Sequence, residues 1–252
     1  MKIWLQKHVV QGRLPVLDEW YLQHIAAVVN PGTEVMIRTL PRRTYESEIP
    51  YDYVAYGVIA LRFNQYFAES ALFAEREGYD AWVIAAGQDP GLNQARAMAN
   101  IPTLGYGFIP ALQEPITENI HRYGTSRWFS SYGLIPGGKP AVMAAIEGKA
   151  DQFMDEAAKA AEHAASLGAQ VIIPAEGLPA EVLWHYGIKE LAGLPVLDPL
   201  GLLLKSAENE VQMRALGCLA RPKRGFWFAQ PDREILDHVE SVFPLNRIEQ
   251  ED

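Results

Sequence analysis

Val83-Ile84-Ala85-Ala86-Gly87-Gln88-Asp89-Pro90-Gly91-Leu92 is the stretch on which the fold turns. Its apolar run has no polar alternation, as in a strand buried on both faces of a parallel sheet. Small residues then make a turn, and Pro90 stands where a helix starts. Val171-Ile172-Ile173-Pro174-Ala175-Glu176-Gly177-Leu178 repeats that order in the second half of the chain: apolar strand, small-residue turn, helix.

Working outward, residues 2–6 read as a first strand and 16–29 as a helix, with Asp18 and Glu19 at its favourable N-terminal end. Asn30-Pro31-Gly32 breaks that helix, 34–39 is a strand, and 54–77 is a long helical pattern. A strand at 81–85, a helix at 90–98, a short strand at 101–105 and a helix at 110–123 complete a first round. The second round has a strand at 127–132, weakened by Ser130 and Ser131, and a loop at Gly137-Gly138-Lys139-Pro140. An alanine-rich helix at 151–167 follows, ended by Gly168. Then come a strand at 170–173, a helix at 179–191, a strand at 194–197 and a helix at 200–216; residues 221–252 receive no firm assignment. The alternation predicts an α/β fold. We expect two similar lobes, each a mostly parallel sheet flanked by helices, pseudo-two-fold related with the active site in the cleft between them. Lobe 1 is residues 1–105 plus 200–252, and lobe 2 is residues 106–199.

The chain has 252 residues, enough for one large domain or two lobes of about 100–150 residues each. No apolar run approaches the roughly 20 residues that span a bilayer, and residues 1–8 lack a signal-peptide core. A cytoplasmic location is therefore expected. Cys218 is the single cysteine, which excludes an intrachain disulfide and a cysteine metal cluster. The net charge is −9 with scattered basic residues, arguing against nucleic acid and anionic membrane as partners. The histidines show no metal-ligand spacing, so no metal is expected. Gly105-Tyr106-Gly107 lacks the third glycine and the downstream acid of a dinucleotide fingerprint.

Tyr79 to Ala85 followed by Asp89-Pro90-Gly91-Leu92 and Ala95-Arg96, then Ile101-Pro102-Thr103-Leu104-Gly105, form the strongest block of a family pattern. Gly168 to Ile173 and Leu194-Pro195-Val196-Leu197-Asp198-Pro199 repeat it. Over residues 1–228 the chain resembles the aspartate/glutamate/hydantoin racemase superfamily, most closely its hydantoin racemase branch. The resemblance implies a cofactor-independent enzyme, a small-molecule substrate and a homo-oligomer. Family racemases set two thiols on opposite sides of the substrate's α-carbon. Here Ala86 and Glu176 stand at the two thiol positions, Gln6-Lys7-His8 replaces an Asn-Pro-Asn turn, and Gly105-Tyr106-Gly107-Phe108 lacks an acid that relatives carry.

Ala86 has no ionisable atom, whereas Glu176 is a candidate general base or nucleophile; its plain reading is a solvated carboxylate or a helix N-cap. Asp89 and His8 are further catalytic candidates. An N-cap before Pro90 is a complete structural explanation of Asp89; His8 could titrate near neutrality, and its plain reading is a surface histidine. Gln6 and Lys7, with Ser47 and Tyr51 in the family's serine-to-tyrosine loop, are substrate-binding candidates, Lys7 for a carboxylate. Ala86, Gly87 and Gln88 would offer backbone donors to a substrate carbonyl. Ser131 and Tyr132 fall where relatives hold a carboxylate, and Gly177 adjoins Glu176. Arg221 to Phe226 resembles the family's basic tail. His185 and Cys218 read as packing residues.

These residues lead to one expectation and two alternatives. The first is a hydrolase or lyase in which Glu176 activates water against a hydantoin- or thiohydantoin-like ring. The others are a racemase using Glu176 and a second, non-cysteine base, and a non-catalytic small-ligand-binding relative.

Overall fold

A computed structural model of the chain describes residues 1–54, 56–87, 89–106, 137–220, 224–225, 229 and 231–243, without the side chains of Tyr51, Asp52 and Arg233. It divides into two compact units. The first is Met1–Arg13, Val29–Gly105 and Leu203–Asp252; the second is Leu14–Val28 and Tyr106–Leu202.

The first unit is built on β1 (Lys2–Gln6), β2 (Glu34–Arg38), β3 (Ala81–Ile84) and β4 (Thr103–Gly105). All pairings are parallel, in the order β2-β1-β3-β4. Ile3, Trp4, Leu5, Ala81, Trp82, Val83 and Ile84 are fully buried, so both faces of β1 and β3 are covered, as their unbroken apolar runs require. Helix α1 (Pro15–Val28) belongs to the second unit. Short α2 (Tyr51–Val54) leads into α3 (Gly57–Arg76), whose Phe63, Phe67, Ala71 and Ala74 fall on one stripe at helical spacing. That stripe packs on Trp4, Trp82 and Ile84. Burying each of the two phenylalanines contributes roughly 1.5–3 kcal/mol. The indole N–H of Trp82 donates to Ser70 Oγ at 2.8 Å and that of Trp4 to Gln6 Oε1 at 2.9 Å, so neither buried donor is left open.

Helix α4 (Leu92–Met98) follows β3 and packs on α3. Gly91 makes that packing possible. It has φ +73°, and an added Cβ would overlap the Asn64 carbonyl oxygen.

In the second unit α5 (Gly138–Ile146) packs on α6 (Asp151–Ser166) and α7 (Gly177–His185), and α1 packs on α7. Phe153, Ala157 and Ala161 form the buried stripe of α6. β5 (Glu190–Leu191) and β6 (Leu194–Pro195) make a short antiparallel ladder. Helix α8 (Pro199–Ala215) runs from the second unit's residues into the first's. There Glu208 accepts hydrogen bonds from the Asn30 N–H and the Thr33 hydroxyl. Helix α9 (Arg233–Val242) lies in the C-terminal segment, where Glu240 pairs with Arg76 at 3.5 Å.

Four elements differ from the sequence reading. The helix read at 179–191 ends at His185, and Glu190–Leu191 lies in β5. The segment 137–140 is not a loop throughout: α5 begins at Gly138 and carries Pro140 in its first turn, where a missing N–H costs nothing. Among the described residues, 170–173 holds no full strand. Ile172 makes a single parallel bridge to Val196, while Val171 and Ile173 are exposed. The mostly parallel sheet expected for the second lobe is thus, in the described residues, one parallel bridge and one antiparallel ladder. The tail contains α9, whose Ile235, Leu236, Val239 and Val242 fall at helical spacing. The readings at 110–123 and 127–132 lie outside the described residues.

Candidate functional site

The order β2-β1-β3-β4 has the chain leaving β1 to one side and returning to the other. The topological switch therefore falls between the carboxyl ends of β1 and β3, where open α/β sheets bind ligands. Gln6, Lys7 and His8 leave β1 there, and Ala85, Ala86 and Gly87 leave β3. The two strand ends are joined by the Ala85 N–H donating to the Gln6 carbonyl at 2.9 Å.

The side chains at this edge have different tasks. Gln6 is fully buried and committed to structure: besides accepting from Trp4, its Nε2 donates to the Arg38 carbonyl at 3.2 Å. Lys7 is 1% exposed. His8 is not the surface histidine of the plain sequence reading. It lies partly buried against Phe63 and Phe67, with ring centroids 5.9 and 4.8 Å away, and burial pushes its imidazole down to about 4. A neutral His8 at pH 7 follows. The Tyr45 hydroxyl donates to the His8 carbonyl at 2.9 Å and accepts from the Val10 N–H at 2.8 Å. Arg13 donates to the carbonyls of Arg42, Tyr45 and Glu46. Tyr45 and Arg13 thereby strap the loop after β2 onto the segment after β1.

Ala86 is buried in the core of the first unit, and the Asp89 N–H donates to its carbonyl at 3.0 Å. Asp89 does not cap α4. The cap position is Gly91, with no side-chain capping bond, and the Asp89 carboxylate instead lies against Gly105, where a Cβ would collide with it. Asp89 has φ +43°, in the left-handed region that non-glycine residues adopt rarely. The Ser47 hydroxyl donates to the Ile49 carbonyl at 2.8 Å, within its own turn. Tyr53 tilts against Tyr45 with centroids 5.6 Å apart. Gln88, Ser131, Tyr132 and the Tyr51 side chain lie outside the described residues, as do Arg221 to Lys223 and Phe226.

Glu176 and Gly177 are in the second unit. Glu176 occupies the N-cap position of α7 in extended backbone, without a side-chain capping bond to the helix. Burial raises its carboxyl, and the Gly177 backbone amide only partly offsets this; the result is about 7. A carboxyl raised this far is poised between its two protonation states near neutrality, the property that an acid/base role would need.

The same unit holds a cluster that sequence reasoning passed over. His24 of α1 contacts Glu181 of α7 and Asp198 ahead of α8, at 3.0 and 2.9 Å. His185 is a packing residue, stacked on Trp20 at 3.6 Å. The partners of His24 lie 157 and 174 residues away in the chain, and no spacing rule reaches so far. Among the described residues no three His, Cys, Asp or Glu side chains are grouped to hold a metal ion, and no helix is long and apolar enough to cross a membrane.

No protein-family model matches the chain, and no curated protein sequence matches it. Solved structures do. An allantoin racemase from Klebsiella pneumoniae superposes with TM-score 0.59 at 21% identity, over 92% of this chain and 94% of that one. An allantoin racemase from Pseudomonas fluorescens gives TM-score 0.60 at 19% identity, over 92% and 97%. The chain has the fold of these two allantoin racemases. An aspartate racemase from Picrophilus torridus aligns over 84% of this chain and 94% of its own, with TM-score 0.48 and 12% identity. The first unit's parallel sheet is flanked by helices, and its β1/β3 switch point is where the first-unit candidates gather.

Proposed function

We propose that this protein with a racemase-superfamily fold is a cofactor-independent enzyme. Its substrate is a small hydantoin- or thiohydantoin-like ring, and Glu176 is its general base. The observation that carries the reading is the Glu176 carboxyl, raised by burial to about 7. A carboxylate of that basicity takes a proton from water as the oxygen attacks a ring carbonyl or thiocarbonyl carbon. The tetrahedral anion then collapses. Glu176 returns the proton to the leaving ring nitrogen when a C–N bond breaks; when a C–S bond breaks it protonates the sulfur, and the hydroxyl's remaining proton leaves with the hydrosulfide as the carbonyl forms, releasing hydrogen sulfide. Lys7, His8 and Gly87, at the carboxyl ends of β1 and β3, are the candidates for binding the polar groups of the substrate. Ala86 offers no second acid or base, which favours addition of water over a two-base inversion.

A second reading, an isomerase, is favoured by the two allantoin racemases of the same fold. Allantoin is itself a substituted hydantoin. In this reading Glu176 removes the proton at the ring stereocentre and a non-cysteine group, His8 or Asp89, serves the other face.

One experiment separates the two. The purified protein is incubated in heavy water with hydantoins, thiohydantoins and their carboxyalkyl derivatives, and mass and chirality are followed together. Addition of water or loss of sulfur supports the hydrolytic reading. Deuterium gained at the stereocentre with loss of optical activity supports the isomerase. Glu176→Gln should abolish either activity, and undiminished turnover by that variant would remove Glu176 from the mechanism.

A further inference from the structure

His24, Glu181 and Asp198 form a buried charged cluster that the proposed chemistry does not use. His24 Nδ1 lies 3.0 Å from Glu181 Oε2, and Nε2 lies 2.9 Å from Asp198 Oδ2. Trp184 stacks flat on the imidazole, with centroids 3.9 Å apart and planes 10° from parallel. His24 and Glu181 are each 1% exposed, while the Asp198 side chain is 35% exposed. Asp198 is itself held in place, since its Oδ1 accepts the Gly201 N–H at 2.9 Å.

Both ring nitrogens face carboxylate oxygens. Only the imidazolium donates from both; a neutral ring would set one lone pair against a carboxylate. Burial alone would lower the His24 pKa. The hydrogen bonds to Asp198 and Glu181, with their charges, outweigh it and raise it to about 9. The same contact holds Asp198 below the ordinary carboxylate range in spite of its own burial. Glu181 from α7 and Asp198 from the segment ahead of α8 are the charges acting on the ring. Trp184 meets it neutral, and the neighbouring His185 turns to Trp20 of α1.

The cluster grips the helix that begins at Glu176. Glu181 is five residues beyond Glu176, α7 is only nine residues long, and its first turn is closed by the Ala180 N–H donating to the Glu176 carbonyl at 3.1 Å. A joint at Glu181 therefore sets where that turn stands. We propose that His24 is a positioning residue for Glu176: clasped between Glu181 and Asp198, its imidazolium holds the first turn of α7, and with it the Glu176 carboxyl, in its partly buried setting. This rests on the reading of Glu176 as the base. The clasp is complete below the ordinary histidine pKa and opens as the pH rises through about 9, when one arm loses its proton.

The test uses the intact protein and no substrate. Isotope-labelled wild type is titrated by NMR over roughly pH 6 to 10. The expected result is a His24 ring with two N–H protons and a midpoint near 9, with the Gly177 and Leu178 amide resonances moving at the same midpoint. Glu181→Gln keeps a hydrogen-bonding partner but removes its charge, and should lower the His24 and Gly177 midpoints together. In His24→Asn the Glu176 carboxyl midpoint should fall from about 7 toward the ordinary glutamate value. Amides of Gly177 and Leu178 that stay still through the His24 transition would overturn the proposal, even if neither variant folds. A Glu176 midpoint unmoved in folded His24→Asn would overturn it too. Because turnover does not enter, finding that Glu176 is not the base would remove the functional reading and leave these titrations standing.

Discussion

The turn after β3 is closed by its own backbone, whereas the turn into α7 carries a titrating side chain. In the first, Ala86 is core, the Asp89 N–H binds the Ala86 carbonyl, and Gly91 lets α4 pack on α3. In the second, Glu176 stands at an N-cap with no capping bond and a carboxyl raised to about 7. The two share a sequence order, yet the first turn is packed into the core and the second carries a carboxyl that burial raises to about 7. With this asymmetry the chain has one strong acid/base candidate at its two turns.

The largest expected effect is on turnover. Glu176→Gln should lower kcat by about 10²–10⁴-fold, the usual contribution of a positioned general base, with KM changed far less. An equal loss in Asp89→Asn would break the comparison, because the first turn would then carry proton chemistry as well.

Stability sharpens it from the other side. Gly91→Ala should cost about 1–3 kcal/mol, from strain at positive φ and the collision with Asn64. Urea unfolding measures this, and a negligible cost would show that α3 yields and that packing does not govern the turn.

A smaller effect has an unusual sign. The folded-state pKa of Glu176 is raised, so its contribution to stability is full below the ordinary glutamate value and is lost as the pH rises through about 7. Above that pH the ionised carboxyl destabilises the fold. Glu176→Gln should therefore be more stable than wild type above pH 7, by about 1–2 kcal/mol once partial exposure is discounted, and no more stable below the ordinary glutamate pKa. Melting temperatures at two pH values check this.

The smallest effect concerns His8. Its pKa is lowered to about 4, so wild-type stability is lost as the pH falls from the ordinary histidine value toward 4. His8→Phe keeps the ring contacts with Phe63 and Phe67 and should flatten that acid limb while changing neutral-pH stability by less than about 1 kcal/mol. An unchanged acid limb would return His8 to solvent.

Much of the fold was legible because its cues are local. The uniform apolar runs of β1 and β3 reported a parallel sheet buried on both faces, and the strand–turn–helix order around Asp89-Pro90-Gly91 pointed to the fold that the two allantoin racemases share. Helix α5 was missed because Gly-Gly-Lys-Pro reads as a loop, although Pro140 fits a first turn. Helix α9 was missed although its apolar spacing was readable. The site was half legible. The sequence pointed to Glu176 by position, but nothing in it indicated that Gln6 would bridge Trp4 and Arg38, or that His8 would be packed against Phe63 and Phe67.

The sequence by itself determined the α/β class, the strand-and-turn order and the absence of a thiol at either turn, because residue type and near-neighbour spacing are properties of the chain. Only the tertiary structure decided the protonation states. Burial raises Glu176 and lowers His8, while two carboxylates more than 150 residues away raise His24. A pKa records the free energy of moving a charge from water into a particular surrounding, and that surrounding exists only once distant parts of the chain have met.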